Sequence, residues 1–182
     1  MAVNVAHGHV SRRASRESAL GNVADVASYW LISAGIYLTY GFLFFYSAKE
    51  KLFANGGTMP APLAKGFSST FIASFPGTNT AWVLIGLLEA AVFVVIVVSV
   101  LSGEFLPTRR KPILLTGMGL SMFAFAMIAW GENMTSEFAT VSELFQYLVG
   151  TAVLIVLVML MPPYRKTAWL SGLIPQRRGE SD

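Results

Sequence analysis

The sequence predicts an all-α integral membrane fold: a bundle of four transmembrane helices, with an external interfacial helix between spans 1 and 2. Three observations predict it. Hydrophobic residues make up 54% of the 182 residues and charged residues 13%, about half the usual globular share of roughly 25%. A soluble core of this size cannot hide that much apolar surface, because small folds keep a high ratio of surface to volume. The apolar residues gather in four uninterrupted stretches, and the basic residues gather at the ends of those stretches.

A bilayer core of about 30 Å takes about 20 apolar residues in a helix. The first span runs over 26–48 and carries no charge. The second runs over 81–102, with Glu89 as its one charge. The third, 112–131, is uncharged, and the fourth, 143–161, carries a charge only at its entry. None alternates as a barrel strand would, so each span is expected to be a helix. Residues 1–25 form a basic N-terminal tail, 26–161 the membrane domain, and 162–182 an amphipathic C-terminal tail.

Charge flanks orient the spans, since Lys and Arg concentrate on the cytoplasmic side. Arg12, Arg13 and Arg16, then Arg109, Arg110 and Lys111, then Arg165, Lys166, Arg177 and Arg178 fall on one side. Only Lys49, Lys51 and Lys65 fall on the other, so both termini are expected to be cytoplasmic. This placement also assigns the net charge of +3 to the membrane and argues against a nucleic-acid partner. Tyr29, Trp30, Trp82 and Trp130 sit at span ends, where amphipathic rings anchor at the interface. Pro162 and Pro163 stop the fourth helix, and Trp169, Leu170, Leu173 and Ile174 then make a short face suited to the cytoplasmic surface.

Ser11-Arg12-Arg13 resembles a twin-Arg export signal, but the apolar stretch that follows is too long and too late for a cleaved leader, so it reads as a retained span. His7 and His9 are too few to hold a metal, and no metal or cofactor is expected. With no Cys in the chain, disulfides, thiol redox chemistry and cysteine-ligated metal clusters are excluded.

The connection between spans 1 and 2 is about 30 residues, long for a structureless loop. Asn55-Gly56-Gly57 marks a turn, and Pro60 and Pro62 can open a helix. Leu63, Phe67, Phe71 and Phe75 recur every four residues, which predicts one helix with an aromatic stripe along three turns. The stripe can pack over the outer mouth of the bundle or rest in the interface, or it can be a docking surface for a partner or lipid, or a lid over a lipid-accessible cavity. Pro76-Gly77 ends it, and Thr78 or Asn79 is placed to cap the second span.

Glu89 is the most informative residue. A carboxylate facing lipid costs a few kcal/mol, so it should face inward and find a partner. Lys49, Lys51, Glu50, Glu132, Glu143 and Gln146 all approach the same membrane face. The expected arrangement is an intramembrane polar clasp of Glu89 with Lys51 or Lys49, and Gln146 or Tyr147 as a hydrogen-bond neighbour. The clasp can be structural, or Glu89 can be a proton carrier or a headgroup or quinone contact. No catalytic residue set is present: there is no nucleophile–base arrangement, no helical metal pair and no phosphate loop. Gly35 with Thr39, and Gly117 with Ser121 beside Gly119, stand at helix-packing spacing. Asn133-Met134-Thr135 fits a glycosylation triplet.

Gly41-Phe42-Leu43-Phe44-Phe45-Tyr46-Ser47-Ala48-Lys49-Glu50-Lys51-Leu52 resembles the first helix of the DoxX-like family of four-helix bacterial membrane proteins, which ends in a Lys-Leu pair. Gly86-Leu87-Leu88-Glu89 is similar to the acidic position on that family's second helix. The resemblance covers residues 26–161 and departs from the family at Ala90 and Ala91, where the family has Gly after the acid. It implies a multi-pass protein of the bacterial inner membrane, and either an accessory subunit of an envelope complex or a component of a redox or quinone-linked system. In overall plan the chain is also similar to LucB, an accessory subunit of Mce-type lipid importers. The expected function is therefore a non-catalytic accessory or stabilising subunit of a larger membrane complex that imports lipid or fatty acid. Membrane lipids and that complex are the expected partners.

Overall fold

The computed structural model describes residues 4–136 and 138–163. The readings of the His7–His9 pair, of the Arg12, Arg13 and Arg16 side chains, and of the amphipathic segment from Tyr164 to Arg178 fall outside the described residues. Five α-helices follow one another: α1 (Asn4–Phe53), α2 (Ala61–Phe67), α3 (Thr78–Leu101), α4 (Pro112–Met134) and α5 (Phe138–Leu160). Short 3-10 turns at Ala54–Gly57 and Phe71–Ala73 flank α2, and no strand occurs among the described residues. Four stretches are long and apolar enough to cross a bilayer: Val26–Phe53, Thr78–Leu101, Pro112–Met134 and Phe138–Leu160. The expected all-α architecture of four long apolar helices is thus present.

Two compact units divide the chain, 1–36 and 37–182. The first belongs to α1, where the Tyr29 ring meets Trp30 edge-on with centroids 5.6 Å apart. The second holds the rest of α1 and all that follows, and its helices are fitted closely. A Cβ on Gly117 of α4 would stand 3.0 Å from Ile96 Cδ1 and 3.2 Å from Val95 Cγ1 of α3. Glycine there lets the two backbones approach, as the spacing with Ser121 suggested. Phe44, Val92, Ile96, Leu114, Met118 and Phe125 fill the centre. The Phe44 ring lies 5.6 Å from that of Phe125.

Two hydroxyl chains cross this core. Tyr40 of α1 donates to Thr151 Oγ1 of α5 at 2.8 Å. Thr151 in turn donates to the Tyr147 carbonyl at 2.8 Å. Nearer the α3–α4 turn, Ser99 donates to Glu104 Oε2 at 2.7 Å. That uses the single serine proton, so the 2.8 Å contact between Tyr37 and Ser99 has the tyrosine as donor.

Glu104 sits in the turn between α3 and α4 and is buried. Its carboxylate accepts the backbone N–H of Ile113 at 3.0 Å and of Leu114 at 2.8 Å. A helix leaves its first amides without internal partners. Pro112 has no amide to satisfy, and the cap residue Lys111 makes no side-chain cap bond. A carboxylate seven residues upstream of Leu115's own carbonyl acceptor, Lys111, therefore does the capping, with its negative charge at the positive end of α4. Lys111 is buried too, and its ammonium donates to the carbonyls of Leu106 at 3.2 Å and Arg109 at 3.4 Å.

Glu104→Ala strips two amides and a serine of a charged acceptor, and should lower the stability of the detergent-solubilised protein by about 2–4 kcal/mol, read as an earlier unfolding midpoint. Lys111 gives a pH signature. Burial holds its ammonium below the ordinary 10.5, opposed by the attraction of Glu104. The folded chain then binds that proton more weakly than the unfolded chain. This contribution therefore raises stability as pH climbs from the lowered value to 10.5, and is flat outside that window. The difference in unfolding midpoint between wild type and Lys111→Met should shift in favour of wild type as pH rises through that window.

Candidate functional site: the Lys51–Glu89 pair and the arm above it

Residues 54–77 form an arm that folds back over one end of the bundle. Gly56 and Gly57 make the first bend with φ of +61° and +75°, a backbone open to glycine. A Cβ on Gly57 would also press to 3.1 Å on Val83 Cγ2. Pro60 then precedes α2, with Pro62 in its first turn. Met59, Phe67 and Ile72 are buried, packed with Leu63, Ala64, Ala81, Trp82 and Met134. The arm thus rests on the start of α3 and the end of α4.

Three details differ from the sequence expectations. The single striped helix over 63–75 is instead two short pieces. Ser68 Oγ donates to the Lys65 carbonyl at 2.7 Å and Thr70 Oγ1 to the Phe67 carbonyl at 2.8 Å. Such local bonds compete with helix continuation. Leu63 and Phe67 therefore face the bundle, while Phe71 and Phe75 are 57% and 78% exposed. Neither Thr78 nor Asn79 caps α3. The cap position is Gly77 at φ +93°, and Asn79 Oδ1 instead accepts the Met59 amide at 3.0 Å, tying the arm down.

The polar site lies directly beneath. Lys51 Nζ stands 3.1 Å from Glu89 Oε1 and 3.0 Å from Oε2. Lys51 is 9% exposed and Glu89 3%. One turn earlier on α1, Ser47 Oγ accepts another Lys51 proton at 2.7 Å. The ammonium also lies 5.0 Å from the centre of the Trp82 ring, a cation–π distance. Glu89 Oε2 receives no hydrogen bond and is held by charge alone. Gly86 makes the pairing sterically feasible, because a Cβ there would lie 2.8 Å from Lys51 Cβ and 3.0 Å from Leu52.

Other residues expected at the clasp are placed elsewhere. Lys49 and Glu50 are exposed. Lys49 stands two residues from Lys51, about 200° around the helix, and so points away from the pair. Gln146 is also exposed, and the structure does not bring it to Glu89. The buried face of α5 carries Thr151 and Val158. Gln146 is five residues before Thr151, about 140° off that face. Tyr147 stacks on Phe125 with centroids 5.6 Å apart. Glu143 is exposed and Glu132 half-buried on the wall of the neighbouring cavity. Among the described residues no three His, Cys, Asp or Glu side chains converge as a metal site would require.

A cavity of about 210 Å³ opens between the arm, α3 and α4. Met59, Phe67, Trp82, Ile85, Ile128 and Gly131 line it, with Lys51 and Glu132 as the charged lining groups. A lid over a lipid-accessible cavity is one of the readings of the 63–75 segment, and the space lies beneath it. Sequence reasoning missed Tyr40, Thr151, Ser99 and Glu104. The signal for Tyr40 and Glu104 was available: a phenol in mid-span and an acid next to a short turn both need partners.

No family model, curated protein or solved structure matches the chain.

Removing one member of the pair strands a buried charge, at a cost of about 3–5 kcal/mol, whereas replacing both by apolar side chains is close to neutral. Lys51→Met and Glu89→Met should each destabilise the protein by that amount, and the double variant should recover most of the loss. Reversible unfolding in mild detergent, run as a double-mutant cycle, measures it.

Proposed function

We propose that the chain is a non-catalytic accessory or stabilising subunit of a larger membrane complex in the bacterial cell envelope, of the lipid- or fatty-acid-importing kind, with both termini cytoplasmic. One observation carries the reading: Lys51 and Glu89 are buried and neutralise each other. The ammonium engages both carboxylate oxygens and Ser47. It is further covered by the Trp82 face. A proton carrier or a base needs a group free to meet its substrate, and this arrangement gives Glu89 a holding role. The DoxX-type redox reading asks Glu89 for that freedom and is correspondingly less favoured.

Helix α5 supports the same reading. Only 11% of its apolar window is buried, against 28% for α3 and 33% for α4. Phe145, Val149, Val153, Val156 and Leu160 are exposed along it. A helix with so little of itself packed has a broad face left for lipid or for another membrane chain.

Gentle solubilisation of the natively tagged protein, followed by mass spectrometry, should recover a larger integral membrane partner in a fixed ratio. Val153→Trp on the exposed face of α5 should reduce that recovery while leaving the protein level unchanged. Recovery of the chain alone across several mild detergents and nanodiscs counts against the proposal.

A further inference from the structure

The cavity beneath the arm is not used by the accessory-subunit reading. Its mouth is marked by Leu84 of α3 and Trp130 of α4, which are 53% and 50% exposed, and by Phe71 of the arm. The first two stand on outward faces of helices apolar enough to cross a bilayer. In a bilayer this exposed rim would stand where the interface meets the upper part of the acyl chains. The cavity lining reaches from Phe67 in the arm to Met127. Met127 lies seven residues before the end of α4, about 10 Å along the helix. That range of depth is where acyl chains begin below their headgroups.

Size and charge narrow the occupant. An apolar cavity of about 150 Å³ accepts a benzene-sized molecule, so a slightly larger one takes a chain segment of about six to ten carbons. The two charged lining groups, Lys51 and Glu132, bring one charge of each sign. The Lys51 charge is already matched by Glu89 at 3.0 Å. The walls thus offer no unmatched cation to a free carboxylate. A chain whose headgroup stays outside suits them better.

We propose that this cavity is a binding site for one acyl chain of a bilayer glycerolipid, entered between α3 and α4 and roofed by the arm. The site requires that the helices sit in a bilayer and does not rest on any partner complex.

The test uses the full chain alone, in vesicles of phosphatidylethanolamine and phosphatidylglycerol doped with a phosphatidylethanolamine that carries a diazirine in mid-chain. After illumination, cross-links are mapped by peptide mass spectrometry. Labelling of Trp82, Ile85 and Ile128 is expected to exceed that of Val153 and Val156 on the exposed face of α5, which report random lipid contact. Gly131→Leu should cut the cavity labelling about tenfold and leave α5 labelling unchanged. Its Cβ would rest 3.7 Å from the Phe67 ring, an ordinary contact, with the rest of the side chain filling the cavity. Ile128→Trp provides a second filled variant, and an unchanged unfolding midpoint identifies the variant that is read. Cavity labelling no higher than that of α5, or insensitive to both fillings, overturns the site. Labelling by a diazirine free fatty acid but not by the phospholipid overturns the assignment to glycerolipid.

Discussion

A polar group within an apolar helix must find its partner inside the protein, and the described bundle is organised around that constraint. Between helices in hydrocarbon there is little hydrophobic drive to associate, because lipid tails are as apolar as the side chains they would replace. Close packing and polar ties must do the holding. Lys51–Glu89 joins α1 to α3, Tyr40–Thr151 joins α1 to α5, and Tyr37–Ser99–Glu104 joins α1 and α3 to the start of α4. Each tie stands beside tight packing or a core ring. Gly86 lets Lys51 approach, Gly117 lets α3 and α4 close, and Tyr40 lies 6.0 Å from Phe44. Losing one partner therefore costs twice, through the stranded group and through the packing it aligned.

Much of the architecture could be read from residues alone, because length and apolarity are one-dimensional properties. The four spans were placed to within five residues at every end, with the first and third starting at Val26 and Pro112 as expected, though the first helix itself extends back to Asn4. Which side chains meet was harder to read. The pairing of Glu89 with a lysine at the end of the first span follows from cost, but the choice of Lys51 over Lys49 depends on helix rotation. Gln146 looked suitable by height and is unsuitable by rotation. The broken stripe over 63–75 shows a competition that spacing does not register: Ser68 and Thr70 offer the backbone local bonds, and the helix stops. Glu104 was hidden for another reason. It caps a helix that begins eight residues later, and only the folded turn brings the two together.

The two ends of the bundle solve similar problems differently. At the turn between α3 and α4, Glu104 and Lys111 are both buried and attract each other, and each also serves the backbone. The acid serves amide groups of α4 and the ammonium serves carbonyls of the turn. Each charge is used to satisfy backbone that a tight connection would otherwise leave exposed to apolar surroundings. At the arm end the charges are spent on each other, and the backbone of the arm is satisfied by hydroxyls and by Asn79.

That difference bears on the cavity found at the arm end. Capping by Glu104 ties the turn to the start of α4. The arm is longer, its helix is broken after Phe67, and it is tied at Met59 to Asn79 while Phe71 reaches across to Trp130 with ring centroids 5.9 Å apart. Two fixed points with a bent segment between them arch over the pair rather than collapse onto it. Continuous helix from Leu63 to Phe75 would have laid the aromatic rings down on α3 and α4 in one row. With the serine–threonine break, Phe75 is left exposed and Phe71 stands at the rim of the cavity against Trp130, so the rings do not lie down in one row.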